Sequence, residues 1–457
     1  MCFNGLMSMR CFICWMLFGV FTITSSLRGM LSMSIVLMLR PDGIEPKEGD
    51  GYLDWPKNAK GLVLLLPLIG SLVCLPFYMK FLADRRSPKK IISIIILSQS
   101  LLSLISPITA KASFSGFLVI RFLIGIGEGC VGSCIHTIGG RWFPARERSF
   151  KVAAYTCGLQ IAFGFANYFV SFLSTIGLSW EYAFYFFGIL GLIFGVAFLI
   201  FVTDSPNGNK FISKIEESYL SEEIHQPAKN TKRNPTPWKA MVTSAVVYSH
   251  ILCMVTVCFT TAITSNFLPL YFDSELKISI SKSGGYTLIP FTVQLISKLL
   301  YGVISYVIIR RKIVNATQST KICQTISSFG SAVALMMLPF TNETWVIVAL
   351  ALYGLTFAAG TCGYYTSQTL IAPRFTGSIS AQMLFLGFMA STVPMIIYEV
   401  LDTWDVANKY VYMFAMAAFL QALSGVIYLI WGSAEEQPWA KVSTVSVVPL
   451  TSLEDTA

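Results

Sequence analysis

Residues 121–149 read RFLIGIGEGCVGSCIHTIGGRWFPARERS. The run 115–138 is apolar and long enough to cross a hydrocarbon core about 30 Å thick as a helix, yet it carries Arg121 and Glu128. A formal charge near the centre of such a helix costs at least about 2.5–3.5 kcal/mol, so it must meet a partner or a wet cavity. Seven residues are close to two turns, which places both side chains on one face. At 1.5 Å per residue they are offset by about 10 Å, too far to pair with each other. The helix is therefore expected to present a charged stripe to a water-filled path. The competing reading, that each charge holds helices together through partners elsewhere, stays open at this point.

Working outward, comparable apolar runs recur over 11–38, 61–83, 91–110, 152–175, 181–203, 245–271, 284–309, 322–340, 344–370, 376–401 and 410–432. With 115–138 they make twelve candidate transmembrane helices in a chain of 457 residues, of which 12% are charged. A soluble domain carries about twice that share, and the runs lack the short alternation of a membrane barrel. The expected class is an all-α, multi-pass membrane protein embedded in a lipid bilayer. Its net charge of +9 gathers in short connections, at Arg85, Arg86, Lys89 and Lys90, at Arg141, Arg146, Arg148 and Lys151, and at Arg310, Arg311 and Lys312. That is the bias of cytoplasmic loops and not a nucleic-acid patch, so both termini are expected in the cytoplasm. The first apolar run continues past Arg28 without a cleavage site, so it reads as a helix and not as a removed signal peptide.

The polar stretch 204–240 divides the helices six and six. The expected organisation is an N-terminal half over 1–203, a cytoplasmic linker over 204–240, a C-terminal half over 241–432 and a cytoplasmic tail over 433–457. Pro144 and Pro373 follow the fourth and tenth helices in corresponding places, as duplication of a six-helix unit would leave them.

Three charges lie well inside the first half: Arg28, Arg121 and Glu128. Two arginines against one carboxylate leave surplus positive charge, and a guanidinium fork suits carboxylate or phosphate. The site is expected to take a small anion on Arg28 and Arg121, so that Arg121→Ala abolishes uptake. Glu128 is the switchable member, since burial and neighbouring arginines pull a carboxylate's protonation in opposite senses. Gly125, Gly127 and Gly129 read as close-packing positions. Lys298 in the eighth helix is expected to line the cavity, to pair with Glu399 or to snorkel, while Tyr364, Tyr365 and Gln368 are candidates for the second-half wall. The eleven cysteines fall mostly in apolar runs and form no matched metal-ligand set, so neither a metal nor a cofactor is expected beyond a coupling proton or sodium ion. No hydrolytic motif is present, and an enzyme is not expected.

RFLIGIGEG followed by WFPARERS resembles the anion–cation symporter family of the major facilitator superfamily, which includes sodium–phosphate cotransporters, sialin and vesicular glutamate transporters. LRGMLSMSIVLM, IAPRF and GSAEEQPWA are similar to further blocks of that family, in the same order. The resemblance implies the major facilitator fold, twelve helices in two pseudo-symmetric six-helix halves, and transport of organic or inorganic anions by alternating access, coupled to protons, sodium or membrane potential. It matches Arg28 and Arg121 to substrate-binding arginines, Glu128 to a proton-sensitive glutamate, and His136 to a histidine near the inner helix end. LADRRSPKK resembles the superfamily's loop motif, in which Asp84, Arg85 and Arg86 latch one conformation. The chain departs from vesicular glutamate transporters at Leu64 and Ser71 and lacks their seventh-helix arginine, which argues against glutamate; Tyr306 stands where the family usually has aspartate, weakening the second latch. A passive anion channel or uniporter, or a non-transporting sensor, remains as an alternative on the same fold. The expected membrane is the plasma membrane or a vesicular or lysosomal one, and the unit a monomer. Asn342 is a possible glycosylation site on the outer side, whereas Asn315 falls inside.

Overall fold

The computed structural model describes residues 8–38, 53, 55–56, 59–78, 87–207, 209, 211–223, 237–268, 271–272, 275–276, 280–340, 343–404, 406 and 408–440. Asp84, Arg85, Arg86 and Asn342, and with them the expected loop latch and glycosylation site, lie outside the described residues. Six apolar helices precede the linker: α1 (Met9–Met38), α2 (Ala59–Phe77), α3 (Pro88–Ala112), α4 (Phe114–Trp142), α5 (Ala145–Thr175) and α6 (Glu181–Phe201). Two short helices, α7 (Lys214–Glu223) and α8 (Trp238–Thr243), punctuate the connection. Then follow α9 (Ala245–Asn266), α10 (Ile280–Arg310), α11 (Ala316–Met337), α12 (Glu343–Phe357), the single turn α13 (Tyr364–Ser367), α14 (Thr376–Thr403) and α15 (Lys409–Trp431). Among the described residues eleven helical spans are long and apolar enough to cross a bilayer, and α2 adds a shorter apolar one. This is an all-α, multi-pass integral membrane protein.

Local chemistry sets the helix ends. Ser87 caps α3 by accepting from the Lys90 amide, with Pro88 in the first turn. Ser113 ends α3 and begins α4 by accepting from the Gly116 amide. Asn315 and Gln318 form a reciprocal capping box at the start of α11. The expected helix over 344–370 is not continuous. It unwinds after Phe357 into a 3-10 turn (Ala358–Thr361) that holds Gly360, and Gly363 follows before α13. Glycine weakens a helix interior, and α11 supplies what the unwound backbone needs: Gln324 Oε1 accepts from the Tyr364 amide and the Ser327 hydroxyl donates to the Phe357 carbonyl. Irregular backbone at membrane depth survives only where protein or a cavity satisfies it.

The packing repeats. In the first six helices α1 packs on α5, α2 on α4 and α3 on α6; in the last six α9 packs on α14, α10 on α12 and α11 on α15. The two sets meet along α5 with α10 and along α14 with α2 and α4. Close approach of α2 and α4 needs glycine. A Cβ on Gly125 would collide with the backbone of Pro67, and one on Gly70 with the carbonyl of Phe122. Both ends of the bundle are thereby distinct: Arg10, Arg141, Arg148, Arg310 and Arg311 share one, called here the basic end. At that end α7 docks on α1 and α5, with Arg10 bonding both Glu216 and Glu147 at 2.8 Å. The segment after α15 folds back so that the Gln437 amide donates to the Ile371 carbonyl.

Candidate functional site

Two of the three membrane-depth charges in the first half meet. Arg28 on α1 donates through Nη1 to Glu128 Oε1 on α4 at 2.8 Å, with side chains 25% and 14% exposed. Glu128 lies at the middle of α4, so this ion pair sits deep in the bundle, and Arg28 is an electrostatic neighbour of Cys258 on α9 in the second half. Neither Arg28 nor Glu128 is on the wall of the cavity between α5 and the second six helices. Among the described residues Glu128 Oε2 is buried with no hydrogen-bond partner. One oxygen of the Glu128 carboxylate is thus held by a cation, while the other faces no donor among the described residues.

Arg121 is elsewhere. Its side chain is 1% exposed, donates to the Ser106 hydroxyl on α3, and lies over the rings of Phe117 at 4.6 Å and Phe184 at 5.2 Å. The guanidinium thus fills a seam between α3, α4 and α6, stabilised by ring faces in place of a carboxylate. The expected charged stripe is corrected accordingly: one face of α4 meets different neighbours along its length, α3 and α6 at Arg121 and α1 at Glu128. Helical spacing fixes the face and not what lies against it.

A cavity of about 110 Å³ lies between α5 and the second six helices, with Thr156, Gln160, Gln294, Lys298, Tyr364 and Tyr365 on its wall. That is the space of about four waters. Lys298 is buried, and its ammonium donates to Gln160 Oε1 at 2.8 Å and to the Thr156 carbonyl at 3.4 Å. It reaches across to α5 and neither snorkels nor turns to Glu399, which is exposed near the other end of α14. Gln160 in turn donates to Gln294 Oε1 at 3.2 Å. Tyr364 and Tyr365 take the expected wall positions; Gln368 is fully buried behind them and is not on the wall.

His136 is not on the wall either. Its Nδ1 bonds the Tyr155 hydroxyl at 3.0 Å, and its ring meets the edge of Tyr365 at 4.9 Å, so it forms a plug below the cavity floor. Eight residues before Thr156, about 12 Å nearer the basic end, Arg148 closes the path further. The buried guanidinium donates to the carbonyls of Gly140 and Phe143 on its own side, and to the Thr369 carbonyl across the gap at 2.9 Å. Gly132 against Leu384 adds a close contact between α4 and α14. The gap is closed at the basic end. Sequence reasoning passed over Gln160, Gln294 and the bridging role of Arg148; a glutamine in mid-helix and the RERS stretch were the available signals.

The profile described as Major Facilitator Superfamily matches residues 11–397. The chain belongs to this family. Major facilitators are transporters, so the chain is a membrane transporter and not an enzyme. Its fold is that of solved members: the proton:xylose symporter XylE, bound to 6-bromo-6-deoxy-D-glucose, aligns with a TM-score of 0.68 at 15% identity over 93% of this chain and 98% of its own. A bacterial homologue of the iron transporter ferroportin, in an outward-facing state, aligns with a TM-score of 0.63 at 12% identity over 92% and 99%. Among relatives, the uncharacterized transporter slc-17.3 of Caenorhabditis elegans is 28% identical over 86% of this chain and 74% of its own. Sodium-dependent phosphate transport protein 1 of Mus musculus is 24% identical over 85% and 83%, and vesicular glutamate transporter 3 of Danio rerio 24% over 80% and 62%. These names fall in the anion–cation symporter branch that RFLIGIGEG and GSAEEQPWA resemble.

Proposed function

We propose that this major facilitator is a secondary active transporter of small anions, coupled to protons through the Arg28–Glu128 pair. The observation that carries the reading is the membrane-depth ion pair itself, with one glutamate oxygen held by the guanidinium and the other buried and open. In low-dielectric surroundings a net charge is costly, so the site stays near neutral. An incoming anion replaces Glu128 as the counter-ion of Arg28, and the released carboxylate then holds a proton. Anion and proton enter together because either alone would leave a buried charge uncompensated. Relatives named phosphate transporters support phosphate as the first probe.

By the positive-inside bias the basic end is cytoplasmic, as are both termini. Closure of that end by Arg148, His136 and Tyr365 then corresponds to an outward-facing or occluded state. Alternating access requires these cross-gap contacts to break while contacts at the other end form. Arg121 acts on this cycle through the α3–α4–α6 seam that holds α4 in place.

The test is uptake of labelled phosphate, sialate, urate and glutamate by the purified full chain in proteoliposomes, under imposed proton or sodium gradients. Accumulation above equilibrium driven by the proton gradient is the expected result. Flux that only equilibrates would establish a uniporter, and binding without flux a sensor.

A further inference from the structure

Lys298 has no place in the exchange at Arg28 and Glu128, and its surroundings are unusual for a cation. It is buried at membrane depth, and among the described residues no acidic side chain lies within ion-pair distance of it. Its ammonium has three donors, and the protein gives it two neutral acceptors, Gln160 Oε1 and the Thr156 carbonyl. A buried charge without a counter-ion is destabilising unless something completes it. The neighbours sharpen the point. Gln160 Oε1 accepts from Lys298 and Gln294 Oε1 accepts from Gln160, so the lysine, the two amides and α5 form one hydrogen-bonded chain beside the cavity. One N–H of the Lys298 ammonium is left without an acceptor among the described residues.

We propose that Lys298 is an anion-binding residue of the second helix set, receiving the oxyanion group of the substrate, carboxylate or phosphate, in the cavity it shares with Gln160 and Gln294. This deepens the anion-transport reading and rests on it. It adds to Arg28, on the first helix set, a second positive station contributed by the other set. A space of about 110 Å³ fits a small oxyanion head group.

The test is equilibrium binding of labelled inorganic phosphate and, in a parallel arm, labelled acetate to the purified full chain, wild type against Lys298→Gln, Lys298→Met and Lys298→Arg, with melting temperature recorded without ligand. For whichever probe the wild type binds, Lys298→Gln and Lys298→Met are expected to raise Kd at least tenfold, and Lys298→Arg by no more than about threefold. The unliganded melting temperature of Lys298→Met should equal or exceed that of wild type, because an uncompensated charge has been removed. Lower melting temperatures in both neutral variants with unchanged Kd would make Lys298 a structural tie to α5 and overturn the proposal, leaving anion transport intact. A wild type that binds neither probe would overturn the oxyanion station, and failure of the wider uptake panel would overturn the transport reading as well.

Discussion

Arg28 and Glu128, 100 residues apart in sequence, meet at 2.8 Å and join α1 to α4 at the depth where the two helix sets face each other. In the proposed mechanism Arg28→Ala removes the anion's cation, and it strands a partly buried carboxylate. Loss of one member of such a pair costs about 2–5 kcal/mol, a thirtyfold or larger effect. Uptake of the transported anion is therefore expected to fall at least thirtyfold. Folded yield should recover in the double variant Arg28→Ala/Glu128→Ala while uptake does not, as measured by size-exclusion profile and proteoliposome flux. Recovery of uptake in the double variant would make the pair structural.

Arg121 predicts the opposite pattern. Its guanidinium fills a seam with Ser106, Phe117 and Phe184. Arg121→Ala loses ring contacts worth about 0.5–2 kcal/mol and leaves a void. Melting temperature and folded yield should drop, while KM per folded molecule stays within about threefold of wild type. A tenfold rise in KM at normal yield would put this arginine at the substrate.

Arg148 tests the closure. One of its charge-assisted bonds crosses the gap to Thr369, and such bonds contribute about 1.5–3 kcal/mol. Arg148→Ala should thus shift the conformational balance toward opening at the basic end by about tenfold or more. A reporter cysteine placed by Gly140→Cys, where a Cβ has ordinary contact with Thr376, should be labelled correspondingly faster in the Arg148→Ala background. An unchanged labelling rate would mean that other contacts hold this end shut.

Much of the fold was legible because apolar length alone reports a membrane helix, and six-plus-six spacing with Pro144 and Pro373 in matching places reports the repeat. The break after Phe357 was not, although Gly360 and Gly363 were its signal: a glycine reads as a break only once Gln324 and Ser327 are known to satisfy the freed backbone. The short α7 was missed because its anchor, Arg10 to Glu216, spans 206 residues. At the site, periodicity correctly set Arg121 and Glu128 apart from each other. It had no means of giving one to α1 and the other to α3 and α6. Lys298 stood out as a charge in a helix, but its acceptor Gln160 is 138 residues away. Pairings of that range are decided by how helices pack, which local pattern does not encode.

In the proposed mechanism Glu128 carries the proton that travels with the anion. Its most direct test is the steady-state accumulation of labelled substrate, phosphate first, in proteoliposomes under an inward proton gradient, wild type against Glu128→Gln. Wild type should concentrate the anion above the outside level, whereas Glu128→Gln, keeping Arg28, should bind and exchange anion but bring it only to equilibrium. Equal gradient-driven accumulation by Glu128→Gln would mean that the proton does not travel on Glu128.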